Sequence, residues 1–316
     1  MTSKVREDQF SGTMVGLAVG DALGLPTEFI SRQRILERFG PLGLTDFAPG
    51  HGHPAGTFTD DTQMSLAVAD GLLEAEGEEL DELLRCISSR FVAWARSPDN
   101  DRAPGNTCLA GCRNLERGVP WRESGVADSK GCGTAMRVAP VGLRFFQDLE
   151  RVAEVARATA LPTHGHPAAV EGAAAAALMV ALALRGASPE EIYGEILQRC
   201  GGRSEDFDAC LAKVPGSLES PPEQVLARGG LGESWVAEEA VASALYCVWR
   251  HPDDYRAAVL EAINTDGDSD SIGAIAGSVV GARLGLGGIP GHWVEGVEET
   301  SRLQDTGLRL GRAATR

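Results

Sequence analysis

Two acidic stretches hold the residues best suited to chemistry in this sequence. In "TFTDDTQM" (57–64), Asp60 and Asp61 stand side by side ahead of an apolar run. In "NTDGDSDS" (264–271), Asp266, Asp268 and Asp270 occupy alternate positions. Adjacent like charges at the mouth of a helix repel unless something positive sits there. That partner could be the helix N-terminus, an arginine or a metal ion. Capping accounts for one carboxylate: Thr59 or Asp60 is a good N-cap, and Asp60 with Gln63 has capping-box spacing. The second carboxylate is then explained only as a complement to the helix dipole. The alternate aspartates, with Gly267 and small serines between them, can converge on one point from a tight turn. They do not form a calcium EF-hand loop, because Ser271 stands where its glycine belongs and Gly277 where its bidentate glutamate belongs. Two hard-oxygen clusters that meet would suit Mg²⁺ or Mn²⁺.

Something must bring the clusters together. Gly273, Gly277 and Gly281 recur at four-residue spacing, and a glycine face on a helix lets another backbone come close. Such a face would allow two helix N-termini carrying acidic turns to meet. Helical periodicity dominates elsewhere too: Met64, Val68 and Leu72 share a face, and helices are expected over 79–96, 148–160, 167–185, 235–250 and 271–286. Residues 199–232, rich in Gly, Pro and charge, read as a long loop with a short helix near 207–213. The pentapeptide HGHPA occurs at 51–55 and 164–168 with unlike flanks, which argues against a duplication. Alternating strand patterns are missing. The expectation is a compact all-α bundle, one domain over 1–316.

The chain has 316 residues, 43% of them hydrophobic, which is ample for one sizeable core. Its 29 basic against 45 acidic residues give a formal charge of -16, which disfavours nucleic-acid or anionic-membrane binding by bulk charge. The seven cysteines include no CxxC pair, so reduced thiols are expected rather than a disulfide framework or a zinc site. "MTSKVREDQFSG" has no apolar leader segment. The apolar stretch "AAVEGAAAAALMVALALRG" is interrupted by Glu171. A cytoplasmic monomer that avoids membranes is expected.

The chain resembles the ADP-ribosylglycohydrolase family, which includes dinitrogenase-reductase-activating glycohydrolases and ADP-ribosyl-acceptor hydrolases. The resemblance runs nearly end to end, through "GLAVGDALGLPTEF" (16–29), "GTFTDDTQM" (56–64), "PGNT" (104–107), "SKGCGTAMRVAP" (129–140), "THGHP" (163–167), "WVAEEA" (235–240) and "NTDGDSDS" (264–271). Several motifs in the right order are specific where any one alone is weak. The resemblance implies an orthogonal helical bundle around two adjacent Mg²⁺ ions in an acidic cleft, with Mn²⁺ as a substitute. By position, Thr59, Asp60, Asp61, Asp268, Asp270 and Ser271 are similar to the family's metal ligands, while Asp266 falls outside the pattern and is expected to be a solvated loop charge. Glu28 would lie beside the metals and close over substrate, and Asp21 would be a buried helix-end carboxylate. Gly105, Asn106, Thr107, Ser129, Gly131 and Gly133 would cradle the diphosphate and distal ribose of ADP-ribose. His164 is either a substrate contact or a structural histidine. Trp235 could stack on adenine, although a tryptophan at a helix start is more often core. Cys132 is assigned no nucleophilic role. One departure concerns specificity: nitrogenase-regulating members carry an aspartate before the Gly-Asn-Thr turn, where this chain has Ala103 and Pro104, with Asp101 displaced.

The implied activity is removal of ADP-ribose from a protein or other conjugate by hydrolysis of the N- or O-glycosidic bond at the distal ribose. Asp60 or Asp61 would activate the water, and Glu28 or a water would supply the leaving-group proton. Acidic clusters alone would equally support another Mg²⁺-dependent phosphoester or pyrophosphate hydrolase. A non-catalytic ADP-ribose-binding protein on the same fold is the other alternative. The acceptor is not encoded in any residue pattern.

Overall fold

The first helix, Glu7–Gly24, lies antiparallel against Ser269–Leu284 with almost no side chain between them. Gly12, Gly16, Gly20 and Gly24 recur every four residues on the first helix. They face Gly281, Gly277, Gly273 and the Asp270 backbone in turn, and a Cβ at any of them would run into the opposing main chain. Each glycine costs about 1 kcal/mol of helix propensity relative to alanine. The contact offsets this by letting two backbones touch, and the Tyr255 hydroxyl ties the seam by donating to Gly16 O at 2.6 Å. The glycine face therefore does not join two N-termini. It joins the end of one helix to the start of another, because only the first helix carries a matching run of glycines. The seam ends at Gly24 and Asp270, beside the acidic turn.

The computed structural model describes residues 5–315. Among them there are no strands, only isolated β-bridges such as Val126 with His164 and Gly131 with Val236. The all-α expectation holds. The helices expected from periodicity occur as Asp60–Glu74, Leu80–Ala95, Leu149–Ala160, Pro167–Leu184, Ala237–Arg250 and Ser269–Leu284. The 199–232 region is more ordered than a long loop, with short helices at Glu205–Leu211, Val214–Ser217 and Pro222–Val225. Ser204 caps the first of these, and prolines occupy the first turns of the other two, where a missing N–H is tolerated.

The alanine-rich helix Pro167–Leu184 is long and apolar enough to cross a membrane by length and composition, with a mean hydropathy of 1.8. Yet 89% of it is buried inside the bundle, so it is the core helix. Its one charge, Glu171, is matched by a two-pronged pair with Arg157, at 2.9 Å (Nε) and 2.8 Å (Nη2). The small alanines let the helices Leu149–Ala160, Ala237–Arg250 and Ser269–Leu284 pack around it.

Candidate active site

Three α-helix N-termini and one helix C-terminus meet at a single cavity. Asp60 and Asp61 open Asp60–Glu74, and Asp268 and Asp270 open Ser269–Leu284. The glycine seam delivers the end of the first helix, with Asp21, and the following turn with Glu28. Thr59 rather than Asp60 is the N-cap: its Oγ1 accepts from Asp61 N at 3.2 Å. The expected capping box does not form, because Gln63 turns away to Asp99 O and Trp94 Nε1.

Asp21 pins that helix start from below. It accepts from the amides of Thr59 (2.9 Å) and Thr62 (3.0 Å) and from the Thr62 hydroxyl (2.6 Å). Asp60 Oδ2 accepts from Gly105 N at 3.2 Å, which attaches the Gly-Asn-Thr segment to the acidic wall. Asp268 Oδ2 accepts from the Cys132 thiol at 2.9 Å. Asp266 is neither a candidate ligand nor a solvated loop charge. It is half-buried and accepts from Arg32 N at 2.6 Å, holding the start of the Arg32–Phe39 helix.

The cavity measures about 300 Å³. Glu28, Asp60, Asp61, Asp268, Asp270 and Ser271 line it, together with Gly105, Asn106, Thr107, Gly131, Gly133 and His164. The Gly-Asn-Thr turn is the start of a helix, Asn106–Glu116, whose first amides open on the cavity. Thr59 and Ser129 stand back from the lining. Thr59 is fully buried, and Ser129 Oγ meets Thr107 Oγ1 at 3.2 Å. Ala103 and Pro104 line the cavity, whereas Asp101 points outward beside His53, two-thirds exposed.

Of the two roles open to Trp235, adenine stacking and the more usual core packing, the structure rules out the core. Trp235 is 53% exposed at the cavity rim and stacks on Phe29, with ring centroids 4.3 Å apart and planes 13° apart. It precedes the Ala237–Arg250 helix and follows Ser234 in the left-handed region (φ 63°), a turn that aims the ring outward. Phe29 is also left-handed (φ 55°), held by its amide donating to Gly267 O at 2.6 Å. Nothing in the spacing of "TEF" or "SWV" announces this pairing.

Six carboxylates, those of Asp21, Glu28, Asp60, Asp61, Asp268 and Asp270, are all less than a tenth exposed. No lysine or arginine pairs with any of them among the described residues. Burial drives their pKa values up; hydrogen bonds partly offset the rise at Asp21 and Asp268, while neighbouring carboxylates add to it at the other four. Asp21 reaches about 6, mainly by desolvation. Glu28 reaches about 9 by desolvation with Asp268, Asp60 and Asp21. Asp60, Asp61 and Asp270 are pushed well above the usual range, first by burial and then by nearby carboxylates: Asp21 and Asp268 for Asp60, Asp21 and Asp60 for Asp61, Glu28 and Asp268 for Asp270. Two oxygens, Asp61 Oδ2 and Asp270 Oδ1, are buried with no hydrogen-bond donor, and Glu28 Oε2 has only His51 Nε2, 3.4 Å away. Buried carboxylates that lack donors and counter-charges are costly unless a cation completes them. Glu28, Asp268 and Asp270 each offer an oxygen within 4.8 Å of the others, a ligand set of hard oxygens. The residues present therefore fit a divalent cation. Burial, with Asp268 and Asp61, raises the Cys132 thiol well above its usual value, so it is a hydrogen-bond donor rather than a nucleophile.

A family model for ADP-ribosylglycohydrolases matches residues 2–316. The chain belongs to the ADP-ribosylglycohydrolase family. Among its relatives, a protein of Archaeoglobus fulgidus is 35% identical over 96% of each chain. The ADP-ribosyl-[dinitrogen reductase] glycohydrolase of Rhodospirillum rubrum is 28% identical, over 93% of this chain and 92% of its own. Among solved structures, an ADP-ribosylglycohydrolase-related protein complex superposes with a TM-score of 0.80 at 28% identity, over 99% of this chain and all of that one. Family membership places the chain among the ADP-ribosyl hydrolases, and its buried acidic cluster gives that class a metal-competent site.

Proposed function

We propose that this protein is a Mg²⁺-dependent hydrolase that releases ADP-ribose from a modified acceptor by cleaving the N- or O-glycosidic bond of the distal ribose. One observation carries the reading: buried carboxylates from three segments remote in sequence, with no lysine or arginine paired to them among the described residues, line one cavity that glycine-rich backbone also lines. Thr59, Asp60, Asp61, Asp268, Asp270 and Ser271 would hold two ions. Bound there, the cations would orient the vicinal ribose hydroxyls and polarise the sugar. Asp60 or Asp61 accepts the proton of the attacking water as its oxygen bonds to the anomeric carbon. The bond from that carbon to the acceptor breaks as Glu28, in its protonated form, gives its proton to the departing atom. The amides at the start of Asn106–Glu116 and the Gly131–Gly133 turn receive the diphosphate oxygens. Phe29 and Trp235 offer an aromatic surface at the rim. The seven free cysteines support a reducing compartment such as the cytoplasm.

The test is turnover of arginine-, serine- and base-linked ADP-ribose conjugates with Mg²⁺ and with EDTA, reading free ADP-ribose. Asp60→Ala and Asp61→Ala should each abolish turnover. Glu28→Gln should keep cation binding and lose turnover, which separates an acid from a ligand. Release of AMP or phosphate instead of ADP-ribose would overturn the reading.

A further inference from the structure

Arg137 is fully buried, yet no carboxylate pairs with it among the described residues. Its guanidinium lies over the Phe91 ring, 4.5 Å from the centroid. Nη2 donates to Thr159 O at 2.8 Å and to Thr163 Oγ1 at 2.7 Å. Thr163 Oγ1 is in turn 2.8 Å from His164 Nδ1.

The direction of that last bond follows from proton counting. The Thr163 hydroxyl has one proton and two acceptors in reach: His164 Nδ1, and Ala160 O at 3.3 Å. Ala160 O already accepts the amides of Thr163 (3.0 Å) and His164 (2.9 Å), which fills both of its lone pairs. Arg137 can only donate, so the hydroxyl is left to give its proton to Nδ1. His164 Nε2 then carries the ring proton. No protein group hydrogen-bonds to Nε2 among the described residues, and the ring lines the cavity. Gly131 and Gly133 leave it clear: a Cβ at Gly131 would come within 2.8 Å of Nε2, and one at Gly133 within 3.1 Å of Cε1.

We propose that Arg137 is a positioning residue, acting through Thr163 to lock His164 as the Nε2–H tautomer, a neutral donor aimed at a phosphate or ribose oxygen of the bound ligand. The ligand rests on the ADP-ribose reading above; the tautomer does not. Burial, and then the Arg137 guanidinium, push the His164 imidazolium down to about 3, so the ring stays neutral and serves as neither acid nor base. An arginine suits this position because its planar guanidinium lies over Phe91, holds Nη2 between the two acceptors and stays charged when buried.

The full chain labelled with ¹⁵N-histidine gives the tautomer directly by NMR, the His164 signal being the one lost in His164→Gln. Wild type should show Nε2–H. Thr163→Val, equal in shape but without the hydroxyl, should shift His164 toward Nδ1–H and weaken ADP-ribose binding roughly tenfold to a hundredfold. Thr163→Ser should restore both. Arg137→Met, which keeps the bulk but has no donor for Thr163, should raise the Nδ1–H fraction; an unchanged spectrum would remove Arg137 from the relay. An Nδ1–H wild type would overturn the proposal, as would a Thr163→Val protein with the wild-type tautomer and affinity. If Thr163→Val does not fold, the wild-type spectrum still decides. A wild type that shows Nε2–H but does not bind ADP-ribose supports the relay and overturns the ADP-ribose reading instead.

Discussion

The Asp21 carboxylate and the Thr62 hydroxyl, 41 positions apart, are joined by a 2.6 Å hydrogen bond in the fully buried floor of the site. With the Thr59 and Thr62 amides, that bond fixes the start of the helix carrying Asp60 and Asp61. Asp21→Ala would leave three buried donors unmet. We expect a loss of about 3 kcal/mol in urea unfolding, and about 1.5 kcal/mol for Thr62→Val. A loss below about 1 kcal/mol for Asp21→Ala would show that the helix start is held by other contacts.

The glycine seam makes a second prediction. Gly20→Ala and Gly273→Ala each place a methyl group against the opposing backbone, where nothing flexible can yield. Each should cost about 3 kcal/mol or more, or prevent folding. Gly194→Ala is the control: that residue is exposed within Pro189–Cys200 with open space around its Cα, and alanine there should add up to about 1 kcal/mol. Thermal unfolding of the three variants side by side separates close approach from helix propensity.

Cation binding should stabilise the fold by linkage, about 2.7 kcal/mol at a hundredfold excess over the dissociation constant. Asp61 and Asp270 have folded pKa values above their unfolded ones, so their ionised forms destabilise the metal-free protein at neutral pH, and that penalty is relieved as pH falls. Asp61→Asn and Asp270→Asn should therefore be more stable than wild type in EDTA, yet gain little from Mg²⁺. Unfolding curves in EDTA and in Mg²⁺ check both halves. Variants less stable in EDTA would contradict the idea that the cluster awaits a counter-charge.

His164 carries the opposite sign. Its folded pKa of about 3 lies below its unfolded value of 6.5, so protons favour the unfolded chain between those limits. Its contribution is complete above pH 6.5 and shrinks as pH falls, by about 2 kcal/mol at pH 5. The carboxylates obscure this in wild type alone. The measurement is the stability difference between wild type and His164→Gln in EDTA, at pH 7 and at pH 5. A difference that does not change would mean that the ring titrates as it does in water.

The residues that build the site were legible from their own order. Paired aspartates at a helix mouth, alternate aspartates in a glycine turn, and a four-residue glycine repeat each state a local requirement. The structure brings the two acidic groups to one cavity, with Glu28 beside them. Other features could have been read and were not. Gly12, Gly16, Gly20 and Gly24 carry the same spacing as the 273–281 face, and matching the two runs would have paired Glu7–Gly24 with Ser269–Leu284 without help from the family resemblance.

What the chain by itself determined were the elements, since helix period, caps and turn residues act over a few neighbours. It also set the ingredients, an excess of carboxylates with hydroxyls and glycines between them. Only the tertiary structure decided which groups lost water and which kept it. Trp235 begins a helix like many core tryptophans, but a left-handed Ser234 turns it outward onto Phe29. Arg137 sits in an unremarkable "AMRVAP" run, yet packing seals it beside Thr163 and His164. Desolvation, the tautomer of a histidine and the absence of a counter-charge depend on what arrives from elsewhere in the chain, and local sequence does not carry that information.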